Sequence, residues 1–339
     1  MRKLLNTLYV TNPDAYLRKK DDAICVFLDE QVVMSIPFHL LESVVLFGHA
    51  GCSTSIMATC AEKGISVVLL DEGGKFKARV EGPVSGNVLL RREQYRRADD
   101  EKESLKLAKR FVLAKVHNAR VVLQHFRRDY PELGEKGLDR AIDSLKSSAA
   151  QVPEADDSEK LRGIEGDAAH MYFGVFRLLL KKHDIRFEGR SKRPPKDPVN
   201  ATLSFFYSIL TREISTGCET VGLDPQMGFL HRCRPGRASL SLDLIEELRA
   251  PYVDRFVLTL FNRGQLDEKD FEKEGEGFQF VDRTLKKVLG LWQERKQEQI
   301  LHPFLKERVP IGLLPVLQAQ LLAAHLRGDL EDYPACLWR

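Results

Sequence analysis

The segment Gly228–Arg249 of this 339-residue chain places a histidine, a basic loop and several carboxylates within a few helical turns. It reads GFLHRCRPGRASLSLDLIEELR, in which His231 offers an imidazole nitrogen and Asp243, Glu246 and Glu247 offer oxygens. A divalent cation that acts on a phosphate ester accepts this mixed set of ligands. The pattern therefore indicates a metal site. The alternative is an ordinary amphipathic helix with a solvated acidic face.

The carboxylates of this segment must be positioned by a helix. Ser239 is a good N-cap, so the helix is predicted to begin there and to end at Arg249, before Pro251. Asp243 and Glu246 are three residues apart and then share one face, while the leucines lie on the opposite face. Such a helix can bury its leucines and direct its acids into a cleft.

A further carboxylate, Glu165, lies beside the apolar stripe of a helix predicted over residues 161–181. Its side chain should point toward the interior, where an unpaired carboxylate is costly and requires a cation. Gly163 and Gly166 weaken the helix there, which would allow another backbone or a DNA phosphate to approach closely. The competing interpretation is a structural ion pair between Glu165 and a nearby arginine.

Basic residues cluster at three places that could contact a phosphate backbone. A proline-containing loop carries Arg190, Lys192, Arg193 and Lys196, and the segment after His231 carries Arg232, Arg234 and Arg237. A long helix is predicted over residues 99–128, and its outer faces hold many basic residues, Lys115 among them. A basic helix face or a charged loop is more often simply solvated, so these clusters support DNA binding only weakly by themselves.

The composition describes a globular protein with room for two domains, since 43% of the residues are hydrophobic and 30% are charged. A formal net charge of +3 is too small to indicate a nucleic-acid partner without local clustering. Six scattered cysteines without CxxC spacing are typical of reduced thiols in a cytoplasmic protein. The sequence shows neither a signal peptide nor a membrane span.

The chain divides into a strand-rich part and a helical part. Short β-branched or aromatic runs between turn residues predict strands through the first eighty residues, with one helix over residues 53–63. We predict an N-terminal β-rich dimerisation domain over residues 1–82, a linker over 83–98 and an α-helical catalytic domain over 99–339. Edge strands and an apolar surface around Phe38 to Val45 favour the first domain as the dimer contact.

Several motifs, taken in order, resemble the CRISPR-associated adaptation integrases, the larger of the two near-universal spacer-acquisition proteins. They are LYVTNPDAYLRKK, IPFHLLESVVLFGHAG, GISVVLLDEGGKFKARVEG, GNVLLRREQY, GIEGDAA, RPPKDPVNATLSFFYSIL and the segment around His231. The resemblance implies an α+β protein with a small N-terminal β-sandwich and a larger all-helical catalytic domain. It also implies a homodimer that assembles with the small second adaptation protein. The tail LLAAHLRGDLEDYPACLWR is most similar to the type I-C branch.

The resemblance assigns roles to individual residues. Glu165 matches the family's glutamate in the Glu-Gly motif, His231 its metal histidine and Glu246 its last acidic ligand. Asp243 matches an acidic position one turn earlier that does not always contact the ion, so it is a possible auxiliary acid. Glu247 matches a common acid that is not a ligand and is expected to pair with a basic neighbour.

The expected reaction inserts short duplex DNA into a repeat array, by attack of a DNA 3′-hydroxyl on a phosphodiester at a repeat border. Mg²⁺ or Mn²⁺ is the expected cofactor at Glu165, His231 and Glu246, which are also the catalytic residues. No lysine or tyrosine has the spacing expected of a covalent nucleophile. Two alternatives stay open: a stand-alone metal-dependent nuclease for branched DNA, and a non-catalytic DNA-binding scaffold.

Overall fold

The computed structural model describes residues 7–41, 43–71, 76–80, 82, 88–181 and 185–339. Of Phe76 it describes only the backbone. The chain forms two compact units. The strands of the first unit are, in chain order, β1 (Thr7–Val10), β2 (Tyr16–Lys20), β3 (Ala23–Leu28), β4 (Gln31–Pro37), β5 (Ser43–Phe47), β6 (Gly51–Cys52), β7 (Ser66–Leu70) and β8 (Phe76–Val80).

These strands form two four-stranded sheets. One has the order β1-β5-β7-β8, in which β1, β5 and β7 are parallel and β8 is antiparallel. The other has the order β4-β3-β2-β6. The central parallel strands read SVVLF and SVVLL, the near-continuous apolar runs that sheets covered on both faces require.

One hydrophobic core lies between the two sheets and accounts for the sandwich arrangement. It joins Leu8 and Val44 of the first sheet to Leu17 and Ile24 of the second, together with Ile56 of helix α1 (Thr54–Lys63). Aligned sheets that share a core of inward-facing side chains are the definition of a β-sandwich. The α+β class and the N-terminal sandwich are therefore confirmed.

The remaining helices are α2 (Val88–Asp99), α3 (Glu101–Asp129), α4 (Asp139–Gln151), α5 (Ser158–Val175), α6 (Pro198–Thr220), α7 (Ser239–Ile245), α8 (Arg255–Asn262), α9 (Asp282–Gln297) and α10 (Leu314–Arg327). In the second unit, α3 packs against α4 and α5, and α6 packs against α7 and α10. No described helix has the length and apolar composition needed to cross a bilayer.

The resemblance implied an all-helical domain after residue 99, but this region also contains short strands. Two small two-stranded sheets interrupt it, formed by β9 (Phe271–Glu274) with β10 (Gly277–Phe280) and by β11 (Gln299–Leu301) with β12 (Arg308–Pro310). These strands are only three or four residues long. Runs this short carry too little period-two pattern to be read from a sequence.

The compact units differ from the predicted division in two places. Residues 88–98 were predicted as a linker, and the rest of that linker, 83–87, lies outside the described residues. Residues 88–98 belong to α2, where buried Gln94 donates to the carbonyl oxygens of Asp224 and Met227, both at 2.8 Å. Helix α9 belongs to the first unit, together with the turn Ile311–Leu313 that it contacts. Chain order alone could not assign it.

The apolar surface predicted around Phe38 to Val45 is not exposed. Phe38 and Leu41 are buried, and Val44 and Val45 lie within a central strand. The exposed apolar residues of the first unit instead include three on β4, an edge strand: Val32, Val33 and Met34. The sequence pattern could not reveal which hydrophobic run would lie at the sheet edge.

Candidate metal-dependent active site

Two acids from different elements approach one lysine. Glu165 is on α5, and Glu246 follows the last residue of α7. The Nζ atom of Lys115, on α3, donates to Glu165 Oε1 and lies 2.8 Å from Glu246 Oε2. The two carboxylates, 81 positions apart in the sequence, thus converge on one cationic point.

Glu246 is held as an anion although it is buried. Burial alone would raise the pKa of its carboxyl group, but the charges of Arg249, Lys115 and His231 outweigh burial and lower the pKa to about 2. The Arg249 Nε atom lies 3.1 Å from Glu246 Oε1. Glu246 Oε2 lies 2.8 Å from the Lys115 ammonium group, so a cation faces each oxygen of this carboxylate.

His231 is fixed in place by Asp243. The Asp243 carboxylate is fully buried and accepts the backbone N–H groups of Phe229, Leu230 and His231 at 2.6, 3.0 and 2.9 Å. It also contacts the Nδ1 atom of His231 at 2.7 Å, so the Nε2 atom lies on the other side of the ring. A carboxylate that orients a metal-binding histidine in this way is common at metal sites.

Gly228 allows the loop before His231 to approach α7. A Cβ atom at this position would lie 2.7 Å from the backbone carbon of Ser239 and 2.8 Å from Asp243 Oδ2. Contacts this short do not occur for real Cβ atoms, so a larger residue would displace the loop. The glycine therefore supports the contact between Asp243 and His231.

The predicted auxiliary role of Asp243 needs correction. Its two oxygens already serve four groups of the His231 loop, so Asp243 positions the histidine and does not point into the cleft as a separate acid. The helix itself also differs from the prediction. Ser239 is its first residue, with Ala238 as the N-cap, and the regular α-helix ends at Ile245. A wider helical turn, Arg249–Asp254, follows.

Glu165, His231 and Glu246 line one cavity of about 690 Å³. Its walls also carry Lys115, Arg177, Arg190, Lys192 and Arg249, so cationic side chains surround the two acids. A cavity with this charge pattern attracts a phosphate group, and its acids offer a place for a cation.

The donor set fits a divalent metal ion, although the ligands are not gathered around one. Across the described ranges, no three His, Cys, Asp or Glu side chains lie close enough together to hold an ion. Two carboxylates and an oriented imidazole nevertheless face the same cavity, and Lys115 is the cation that balances both acids. Oxygen ligands with one imidazole suit Mg²⁺ or Mn²⁺.

Arg190 is not the exposed phosphate contact that the sequence predicted. Its guanidinium group donates to the Ser191 carbonyl oxygen, to Asn200 Oδ1 at 2.7 Å and to Ser204 Oγ at 3.0 Å. Burial, and then the charge of Arg249 among others, lowers the pKa of Arg190. Arg190 lines the cavity and ties its loop to α6, whereas Lys192 is exposed.

The other predicted DNA-binding residues are mostly accessible. Arg193 and Lys196 are exposed in the same loop as Lys192, Arg232 and Arg234 are exposed after His231, and Arg237 is half-buried. Of the predicted set, Arg190 and Lys192 line the cavity that holds the acids.

Glu247 was predicted to pair with a basic neighbour, but it does not. Its partners are neutral: the hydroxyl group of Tyr333, the amide of Gln318 at 2.8 Å and the backbone N–H of Cys336 at 2.5 Å. Burial raises the pKa of Glu247 to about 7. This acid therefore holds the C-terminal tail and takes no part in the cleft.

Lys115 and Arg249 are site residues that were not predicted from the sequence. Lys115 was grouped with a solvated basic face, yet it follows buried Phe111 by four residues and precedes buried Asn118 by three. That spacing places it on the buried face of α3 and could have been recognised. Arg249 lies one helical turn after Glu246, a second signal at the same spacing.

Comparison with known proteins identifies the family. A family model described as CRISPR associated protein Cas1 matches residues 8–294. A CRISPR-associated endonuclease Cas1 of Rhodospirillum rubrum is 48% identical over the full length of both chains. Another, of Chlorobaculum tepidum, is 46% identical, also over the full length of both. The chain belongs to the Cas1 family. It is therefore an enzyme of the nuclease class, and the predicted resemblance is confirmed, while the type I-C branch stays a prediction.

Solved structures show the same fold at lower identity. A casposase bound to an integration product has a TM-score of 0.84 at 20% identity, covering 98% of this chain and 93% of the casposase. A chain of a Cas6-RT-Cas1–Cas2 complex has a TM-score of 0.82 at 24% identity, covering 98% of this chain and 36% of the other. The predicted α+β architecture thus matches the fold of experimentally determined relatives.

Proposed function

We propose that this Cas1 family member inserts short duplex DNA into a CRISPR repeat array by metal-dependent transesterification. One observation carries the proposal: Glu165 and Glu246 converge on a single cationic point in a basic cavity that His231 also lines. Two structural neighbours support it, since one is a casposase bound to an integration product and the other is a chain of a Cas6-RT-Cas1–Cas2 complex.

In the proposed reaction, the 3′-hydroxyl oxygen of the incoming strand forms a bond to a phosphorus atom at the repeat border. The bond from that phosphorus atom to the repeat strand's 3′ oxygen breaks. The attacking hydroxyl group gives its proton to solvent, and the leaving oxygen takes a proton from solvent. One phosphodiester replaces another, so no external energy source is needed. Two such reactions, one on each strand, insert a fragment.

Glu165, Glu246 and the His231 imidazole would hold Mg²⁺ or Mn²⁺. The bound ion would polarise the scissile phosphodiester and stabilise charge on the leaving oxygen. Asp243 fixes the imidazole, and Arg249 keeps Glu246 ionised. Arg190 and Lys192 make the cavity attractive to the DNA backbone. Imidazole favours Mn²⁺ over Mg²⁺, although Mg²⁺ is the more abundant ion.

Double-stranded DNA, a second copy of the chain and the small second adaptation protein are the proposed partners. Insertion at both ends of a repeat needs two active sites, and one chain supplies one set of ligands, so at least two copies must act together. The exposed valines and methionine of the edge strand β4 offer a surface for that contact.

A strand-joining assay tests the proposal. A short duplex with free 3′-hydroxyl groups is incubated with repeat-containing DNA in Mg²⁺ or Mn²⁺, and E165Q, H231A and E246Q are compared with the unmodified protein. Each variant should join strands at least about 100-fold more slowly, because a ligand is lost. Each should bind duplex DNA nearly normally, because affinity depends on phosphate contacts. E159Q, an exposed change on the same helix as Glu165, is the matched control.

The same assay separates the alternatives. A DNA-binding scaffold is the main competitor, because Lys115 already neutralises both acids as a structural ion pair would. Metal-independent binding without any joined product would favour the scaffold. Cleavage of branched DNA without joining would favour the stand-alone nuclease. Normal joining by all three variants in Mn²⁺ would show that the proposed site is wrong.

A further inference from the structure

Lys115 occupies the position where the two site acids converge. Its side chain is 19% exposed, and its ammonium group contacts carboxylates from two separate elements, α5 and the turn after α7. Lys115 is therefore the counter-ion that both acids share.

A divalent ion and the Lys115 ammonium group cannot share these oxygens. Both are cations, and two cations within a few ångströms of each other in a partly buried site repel strongly. Lys115 must leave the pair if Glu165 and Glu246 bind metal together. Its four-carbon side chain is flexible, and the cavity it lines, of about 690 Å³, gives the ammonium group room to move.

We propose that Lys115 is a resident counter-ion that competes with the metal ion, so that its displacement sets the metal affinity of the site. This inference rests on the proposed function. It makes Lys115 a positioning residue that keeps the acid pair ionised and closely spaced before the metal arrives. A DNA phosphate in the cavity can accept the displaced ammonium group, so DNA and metal bind cooperatively.

Manganese titration tests the inference without an activity readout. Free Mn²⁺ is followed by electron paramagnetic resonance, and the melting temperature is measured with and without Mn²⁺. K115M removes the charge with little change in length and should bind Mn²⁺ at least about tenfold more tightly, since the competing cation is gone. Its melting temperature should be lower than that of the unmodified protein without metal and should rise more with Mn²⁺.

Three further variants make the result specific. K106M changes an exposed lysine of the same helix and should leave Mn²⁺ affinity unchanged. K115R keeps the charge and should not tighten binding. K115Q, which retains a hydrogen-bond donor, replaces K115M if the latter does not fold. DNA duplex should strengthen Mn²⁺ binding more in the unmodified protein than in K115M.

The outcomes separate this inference from the proposed function. Equal or weaker Mn²⁺ binding by both uncharged variants would overturn the role of Lys115, even with the metal site intact. Mn²⁺ affinity that is unchanged in E165Q and E246Q would instead show that these acids do not hold the metal, and the proposed function would fail with it.

Discussion

At the residue scale, the contact between His231 and Asp243 fixes the orientation of the imidazole ring. Asp243 holds both the ring and the backbone of the loop that carries it. D243N keeps the shape but loses the charge, and D243A loses both. We expect strand joining to fall about 10- to 100-fold in D243A and by less in D243N, because the imidazole loses its orientation. Joining rates and Mn²⁺ affinity check this, and a normal rate in D243A would make Asp243 purely structural.

Asp254 is a buried acid whose protonation affects the stability of the fold. Burial raises the pKa of its carboxyl group from 3.8 to about 6, although hydrogen bonds from Tyr207 and Tyr172 and the charge of Arg249 oppose the rise. A folded pKa above the unfolded one means that the folded state holds the proton more tightly. Asp254 therefore destabilises the fold progressively as the pH rises from about 4 through about 6.

The variant D254N removes this pH dependence. Relative to the unmodified protein, its free energy of unfolding should rise between pH 4 and pH 8. The rise should be about 1.4 kcal/mol for each unit by which folding raises the pKa of Asp254. Urea denaturation at several pH values measures it. Parallel stability curves for the two proteins would contradict the raised pKa of Asp254.

At the element scale, the loop over residues 185–197, which precedes α6, has two functions. Arg190 fastens the loop to α6 through Asn200 and Ser204, whereas Lys192, Arg193 and Lys196 are exposed. Only the exposed cations are free to neutralise DNA phosphates. The basic pattern in the sequence identified the loop, but it could not distinguish the arginine that the loop uses for its own structure.

Salt dependence distinguishes these functions. A variant with Lys192, Arg193 and Lys196 all changed to Ala should bind duplex DNA with a flatter dependence of log Kd on log salt concentration. Each lost phosphate contact lowers the slope by about 0.9. R190A should instead lower thermal stability, because it removes the hydrogen bonds from the guanidinium group to Asn200 and Ser204. An unchanged slope in the triple variant would mean that the loop is simply solvated.

Sequence reasoning located the elements of the site better than their environment. The glutamate on α5, the histidine loop and Glu246 were each predicted, and the structure places them around one cavity. The partners of Asp243, Glu247 and Arg190 were not predicted, because they come from segments up to 89 residues away in the chain. Periodicity shows which face of a helix is buried, but not which polar group lies opposite it.

At the scale of the whole molecule, the proposed insertion of both fragment ends requires more than one copy of the chain. Strand β4 is an edge strand with Val32, Val33 and Met34 exposed, and its register against β3 shifts so that Val33 has no direct partner there. An exposed apolar edge strand is a ready surface for pairing with another chain. We expect the second copy to dock at this edge.

Light scattering tests the assembly. The unmodified chain should be a dimer, and V33K should shift it toward the monomer, because a charge on the edge opposes pairing. L301K, a change at an exposed leucine of the second unit, should leave the dimer intact. A strict monomer that still inserts both ends of a fragment, with or without the small second protein, would refute the argument.

We propose that Glu165, His231 and Glu246 bind the catalytic metal ion together. Anomalous X-ray diffraction from crystals grown with Mn²⁺ tests it most directly, because the signal locates manganese independently of any assumption about ligands. We predict one peak within bonding distance of both carboxylates and of the His231 Nε2 atom, with the Lys115 ammonium group withdrawn from the acids. Manganese bound elsewhere, with Lys115 still bridging Glu165 and Glu246 at saturating Mn²⁺, would show that these three residues do not form the metal site.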